Sequence, residues 1–242
     1  MGWRSRAVDV VILSILIGLV LFNLILTAPP KVSINDTTYH NQQAYEAAVK
    51  EEFLDIRTKT KLTLNSHRVA DNLKKRFPEL SNVEVNVPMV GAAARVKLKV
   101  AKPAFKLVSG GELYVINSNG TASALAANLN GTENLPEIVD ESGFKIQLGQ
   151  PVLEAAAVSF IASLNQQLKL ANIQISSLAL PPRAKELILR TADQPYYIKF
   201  YLGGDSATQA GQYLATRQQF IRDGLTPSEY LDVRVQGKVF YK

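Results

Sequence analysis

The stretch whose reading decides the fold is "VEVNVPMVGAAARVKLKV", residues 83–100. In its second half Ala94, Val96, Leu98 and Val100 alternate with Arg95, Lys97 and Lys99, and in its first half Val83, Val85 and Val87 take every second position. A period of two sends alternate side chains to opposite faces of an extended chain, so both halves are half-buried strands, joined by a loop containing Pro88 and Gly91. Upstream the period is that of a helix. In "AYEAAVKEEFLDI", residues 44–56, Tyr45, Ala48, Val49, Phe53 and Ile56 share one helical face. In "NSHRVADNLKKRFPEL", residues 65–80, Val69, Leu73 and Phe77 do the same, with Asn65 or Ser66 as N-cap, Pro78 as stop and His67 exposed in the first turn. "KVSIN", residues 31–35, reads as a leading strand. The order strand, helix, helix, strand, strand makes one small α+β unit with its helices on one sheet face.

Downstream of a hinge at "AKPAF", residues 101–105, strands dominate. "FKLVSGGELYVINSNGTA" holds two strands around Gly110 and Gly111 and a turn at Asn119 and Gly120; "LPEI" follows an Asn-rich loop. A helix is expected over residues 151–170, opened by Pro151, and another over 207–223. "IQISSLAL", "KELILRT", "YYIKFYLGG", "EYLDVRV" and "GKVFYK" are strands. Asp232 and Arg234 project to the face opposite Val233 and Val235 and are expected to pair within the fold.

Residues 10–28, "VVILSILIGLVLFNLILTA", have Ser14, Asn23 and Thr27 as their only polar members. As one helix of 1.5 Å rise per residue they would cross a hydrocarbon core of ~30 Å. Arg4 and Arg6 precede them, which by the positive-inside rule predicts a cytoplasmic tail over residues 1–9 and an extracytoplasmic bulk. The run exceeds the usual apolar core of a cleaved signal peptide, about 7 to 15 residues. The expected organisation is a tail at 1–9, a transmembrane helix at 10–28, a first domain at 29–103 and a mixed-sheet domain with helices at 104–242.

With no Cys and two His, 47% hydrophobic and 20% charged residues, the chain is globular and excludes Cys-based redox and metal chemistry. The net charge of +6 is uneven: residues 31–103 carry 13 basic and 8 acidic residues, whereas residues 104–242 balance at 12 and 12. Two readings fit that excess. One is a solvated basic face; the other is attraction to anionic lipid or wall polymer, with Arg95, Lys97 and Lys99 as the lipid-facing cations. No aromatic-interleaved basic stripe accompanies the charge, so nucleic acid is not expected as a partner. "SGFK", residues 142–145, matches S-x-x-K without the motifs that should follow it, and Asp140 and Glu141 are adjacent rather than convergent. No catalytic residue, cofactor site or metal site is assigned. The N-x-T triplets at Asn35, Asn119 and Asn130 read as turns.

Several stretches, in this order, resemble the FtsQ/DivIB family of bacterial cell-division proteins. They are "VADNLKKRFPELSNVEVNVP" with "ARVKLKVAKPAF", "ELYVINSNGTA", "NLPEIV", "YYIKFYLGG" and "YLDVRVQGKVFYK". Asn117 stands where members often have Asp, Lys102 where they often have Arg, and Gly204 where diderm members are frequently basic. The resemblance implies a POTRA-type domain followed by a β domain, no enzymatic activity, and a scaffold that binds FtsB-like and FtsL-like membrane proteins at the division septum and so helps control the septal peptidoglycan synthase. An extended partner segment would add to the last strand as one more strand, through Val235, Gly237, Lys238, Val239, Phe240 and Tyr241, with Val235, Val239 and Tyr241 as anchors on one face. The alternative for that strand is a purely internal role in the sheet. For the chain, the alternatives are an extracytoplasmic cell-wall enzyme and a POTRA-type polypeptide-transport chaperone.

Overall fold

The computed structural model describes residues 3–54, 60–182 and 185–242, with side chains from residue 8 onward. Ile56 lies outside the described residues, as do the side chains of Arg4 and Arg6. The chain divides into two units, Met1–Val100 and Ala101–Lys242.

In the first unit, β1 (Lys31–Ile34), α2 (Gln42–Glu52), α3 (Ser66–Arg76), β2 (Leu80–Asn86) and β3 (Arg95–Val100) follow the helix α1 (Trp3–Asn23). The strands form a sheet in the order β1-β3-β2, parallel between β1 and β3 and antiparallel between β3 and β2. Asn41 caps α2 by accepting from the Ala44 N–H at 2.8 Å, and Asn65 caps α3 by accepting from the Arg68 N–H at 3.0 Å. Val96, Leu98 and Val100 of β3 meet Tyr45, Ala48 and Val49 of α2 and Val69 and Leu73 of α3 in one core. Arg95, Lys97 and Lys99 remain exposed on the other face, as the alternation requires.

The expected transmembrane helix is overturned: among the described residues, no helix is long and apolar enough to cross a membrane. The apolar run does not stay helical. Helix α1 ends at Asn23, so the run contributes only residues 10–23 to it, about 20 Å at 1.5 Å per residue against the ~30 Å needed. The residues that follow belong to the first unit's own backbone network. The Lys61 N–H donates to the Leu24 carbonyl at 2.8 Å, Ile25 pairs with Thr60 as an antiparallel bridge, and the Ala28 N–H donates to the Ala92 carbonyl at 3.0 Å.

The second unit is a nine-stranded mixed sheet. Its strands are β4 (Pro103–Ser109), β5 (Glu112–Asn117), β6 (Ala122–Leu125), β7 (Glu137–Asp140), β8 (Ile175–Leu180), β9 (Glu186–Thr191), β10 (Tyr197–Tyr201), β11 (Tyr230–Asp232) and β12 (Phe240–Tyr241). They lie in the order β12-β11-β10-β9-β8-β7-β4-β5-β6. Two helices, α4 (Ala155–Leu170) and α5 (Ser206–Asp223), cover one face: Phe160, Ile161 and Leu164 of α4 and Tyr213 and Phe220 of α5 pack on Leu107, Ile138, Leu189, Ile198 and Phe200. The α+β class with mixed sheets therefore stands.

Helix α4 starts at Ala155 rather than Pro151, because Pro151 bridges to Thr121 and the Val152 and Leu153 N–H groups donate to the Gly120 carbonyl at 2.8 and 3.1 Å. That turn needs its glycine: Gly120 has φ +83°, and a Cβ there would sit 1.9 Å from the Leu153 carbonyl oxygen. Buried Asn117 holds the same turn, its Oδ1 accepting from the Asn119 and Thr121 N–H groups at 3.0 and 3.1 Å. This is acceptor work that an Asp could also do.

Candidate functional site

Strand β12 is one edge of the nine-stranded sheet, paired on one side with β11. The register sets Asp232 opposite Phe240 and Leu231 opposite Tyr241. Lys242 donates to the Tyr230 carbonyl at 3.1 Å and accepts from the Tyr230 N–H at 3.3 Å and the Glu229 N–H at 2.7 Å. Alternate residues of a strand direct their backbone groups to opposite sides. Phe240 and Lys242 are therefore turned toward β11, and the N–H and C=O of Val239 and Tyr241 face away from the sheet.

The side chains alternate as well. The Tyr241 ring meets Phe220 of α5 edge-on, centroids 5.0 Å apart, and Val239 packs on the main core, so both lie on the helix-covered face. Phe240 points to the open face and is half-exposed. The expected shared face of Val235, Val239 and Tyr241 is accordingly corrected: Val235 sits in the turn before the strand, where its carbonyl accepts from the Lys238 N–H at 3.1 Å. Gly237 supplies the φ of +72° in that turn. Gln212 of α5 clamps it, its Oε1 accepting from the Gly237 N–H at 3.0 Å and its Nε2 donating to the Val235 and Lys238 carbonyls at 3.1 and 3.3 Å. Sequence reasoning missed Gln212, because a polar residue on a helix carries no mark of a distant turn.

A second missed feature borders the edge on the open face. Tyr197 and Tyr230 are paired across β10 and β11 with rings 6.0 Å apart, the Lys199 ammonium lies 3.8 Å from the Tyr230 ring centre, and the Arg190 guanidinium lies 5.1 Å from that of Tyr197. Period-two spacing in "YYIKFY" marks Tyr197 and Lys199 as one face, but their neighbours come from the strand order. Beside them Asp232 and Arg234 pair as expected: Arg234 Nε and Nη2 donate to Asp232 Oδ1 and Oδ2 at 2.9 and 2.6 Å, and Nη1 donates to Glu186 Oε2 of β9 at 2.6 Å. Burial pushes the Asp232 carboxyl up, but the bonds from the Arg234 side chain and backbone outweigh it and hold it below its ordinary value. Asp232 in turn raises Arg234. At the chain's other edge contact, Lys242 Nζ lies 2.7 Å from Glu229 Oε2, which lowers the Glu229 carboxyl.

The basic face of the first unit is a separate arrangement. Lys31 stands opposite Arg95 across β1 and β3, Asn86 stands opposite Arg95 and Glu84 opposite Lys97 across β2 and β3, and Asn82 faces Lys99. Lys31, Arg95 and Lys97 line a shallow groove of about 330 Å³ with Glu84 and Asn86. Among the described residues, no carboxylate lies within salt-bridge distance of Lys31, Arg95, Lys97 or Lys99. Ser142 and Lys145 of the S-x-x-K match do line one cavity of the second unit with Asp140, but they lie in a loop between β7 and α4 rather than on a helix, and the Ser142 Oγ accepts from the Phe144 N–H at 3.3 Å. No group of three or more metal-ligating side chains forms among the described residues.

No protein-family model matches the chain, and no curated protein matches it.

Proposed function

We propose that the chain is a non-enzymatic scaffold of the bacterial divisome that takes up an extended segment of an FtsB-like protein along β12, works with an FtsL-like protein, and through them helps control the septal peptidoglycan synthase. The observation that carries the reading is the β12 edge, where the N–H and C=O of Val239 and Tyr241 face away from β11. A two-residue strand whose outward groups alternate with inward ones is a template for one more strand, and Phe240, Tyr230 and Tyr197 beside it offer the aromatic surface that anchors such segments. The ordered likeness of five stretches to FtsQ/DivIB proteins supports the choice of partner. The place of action is the septum, at the membrane.

Depleting the protein tests this at the cellular level. Filamentous cells without completed septa are the expected result. Cells that divide at normal length while the protein is absent would contradict the reading.

A further inference from the structure

The exposed apolar side chains of the first unit are not scattered. Beyond α1, whose residues from Val8 to Phe22 include twelve large apolar side chains more than half exposed, the most exposed are Met89 at 93%, Val90 at 80% and Leu62 at 77%. Single exposed apolar residues are ordinary and mean little. These three, however, sit on loops that hydrogen bonds gather at one end of α1. Lys61, next to Leu62, donates its backbone N–H to the Leu24 carbonyl at 2.8 Å and, through Nζ, bonds both Asn23 Oδ1 and the Met89 carbonyl at 3.1 Å. The loop tips of residues 62 and 89–90 are thus pinned to the place where the apolar helix ends. The basic face begins at the same end: the Ala28 N–H donates to the Ala92 carbonyl and the Lys31 N–H to the Ala94 carbonyl, at 3.0 and 2.8 Å, so the exit from α1 runs directly into Lys31 and its register partner Arg95.

We propose that Leu62, Met89 and Val90 form a lipid-docking rim, which together with the cations Lys31, Arg95, Lys97 and Lys99 seats the first unit on the headgroup region of an anionic bilayer. Apolar tips enter the interface while cations stay at the phosphate level, the division of labour of peripheral membrane surfaces. Charge complementarity selects the occupant. The open face of the small sheet presents these four cations against Glu84 as its carboxylate, and a protein partner would have to bring a matching acidic patch that a phosphatidylglycerol surface offers everywhere. The surface belongs to the first unit alone and stands or falls independently of the β12 edge.

The chain has no Cys, so a single introduced thiol reports one position cleanly. Met89→Cys carrying an environment-sensitive fluorophore is mixed, in the full chain, with vesicles of phosphatidylglycerol and phosphatidylethanolamine or of phosphatidylcholine alone; Lys75→Cys on exposed α3 is the control. The expected result is a blue-shifted, brightened emission at position 89 on anionic vesicles and none at position 75. The Arg95→Glu, Lys97→Glu, Lys99→Glu variant should weaken that partitioning by roughly tenfold or more, and so should salt near 1 M, where the Debye length falls to about 3 Å. A chain that floats with vesicles while the probe at 89 stays in water would overturn the rim, as would a chain that does not float at all. An equal response on phosphatidylcholine would overturn the role of the cations.

Discussion

Arg234 joins two carboxylates from different strands, Asp232 beside it on β11 and Glu186 on β9, and both of these are buried. Replacing it with Ala would leave two desolvated acids without their cation, at a cost of about 1 to 3 kcal/mol at neutral pH. The sign of the pH dependence follows from Asp232. Its folded carboxyl lies below its ordinary value, so the linked stability is present above the unfolded value of about 4 and is lost as pH falls through the folded one. The Arg234→Ala penalty, read from urea midpoints, should therefore be full at pH 7 and shrink below about pH 4; an equal penalty at both ends would contradict the triad. Glu79 in the first unit runs the other way. Burial raises its carboxyl above 4.5, although the Tyr45 hydroxyl, donating at 2.7 Å, and His40, with Nε2 at 3.5 Å, pull it down. Its contribution is fully present below its ordinary value and is lost as pH rises through the elevated one. Glu79→Gln keeps an acceptor for Tyr45 and should flatten the stability of the first unit against pH above about 4.5, where the wild-type slope persists. The clusters were only partly legible in the sequence. Asp232 and Arg234 lie two residues apart in a run of period two and announce themselves, whereas Glu186 and Glu79 reach their partners through tertiary structure.

At the scale of elements, β12 is the place where backbone direction can be tested apart from side chains. Val239→Pro removes an N–H that faces away from β11, so the sheet's own ladder survives and uptake of an FtsB-like segment should fall. Phe240→Ala should cost partner affinity about 1 to 3 kcal/mol with little change in the melting temperature, since its ring is on the open face. Tyr241→Ala should do the reverse, lowering stability through the lost contact with Phe220. Titration calorimetry beside thermal melts separates the two, and identical behaviour of both variants would refute the facing assigned to them. Gln212→Ala should loosen the turn at Gly237 and weaken uptake without touching any group the partner meets. The period-two runs placed these strands well, because a half-buried strand must alternate. Element ends were less legible: residues 24–28 and 151–154 continue a helical composition, yet their backbone groups are claimed by Thr60, Lys61, Ala92, Thr121 and Gly120. A pattern of side chains does not report which distant backbone will compete for an N–H.

For the molecule as a whole, each unit has its own core and the two cores share no residue. Calorimetry should resolve two transitions, with Leu98→Ala lowering only one of them by about 2 to 5 kcal/mol and Ile198→Ala only the other; a single transition shifted equally by both would contradict that independence. Strand order was the least legible level. Of the parallel neighbours, β4 and β7 are separated in sequence by β5, β6 and a loop, and β7 and β8 by a loop and α4, and nothing local in "LPEI" says that β7 fills the gap between β4 and β8. The same order is what leaves β12 at an edge, so the central claim rests on it. Its most direct test is amide hydrogen exchange, residue by residue, with and without the extracytoplasmic segment of the FtsB-like protein from the same genome. The account predicts new protection at Val239 and Tyr241 and little change at Phe240 and Lys242, whose N–H groups are already turned to β11. Binding of that segment with no gain at Val239 and Tyr241, or with protection spread evenly along residues 239–242, would contradict it.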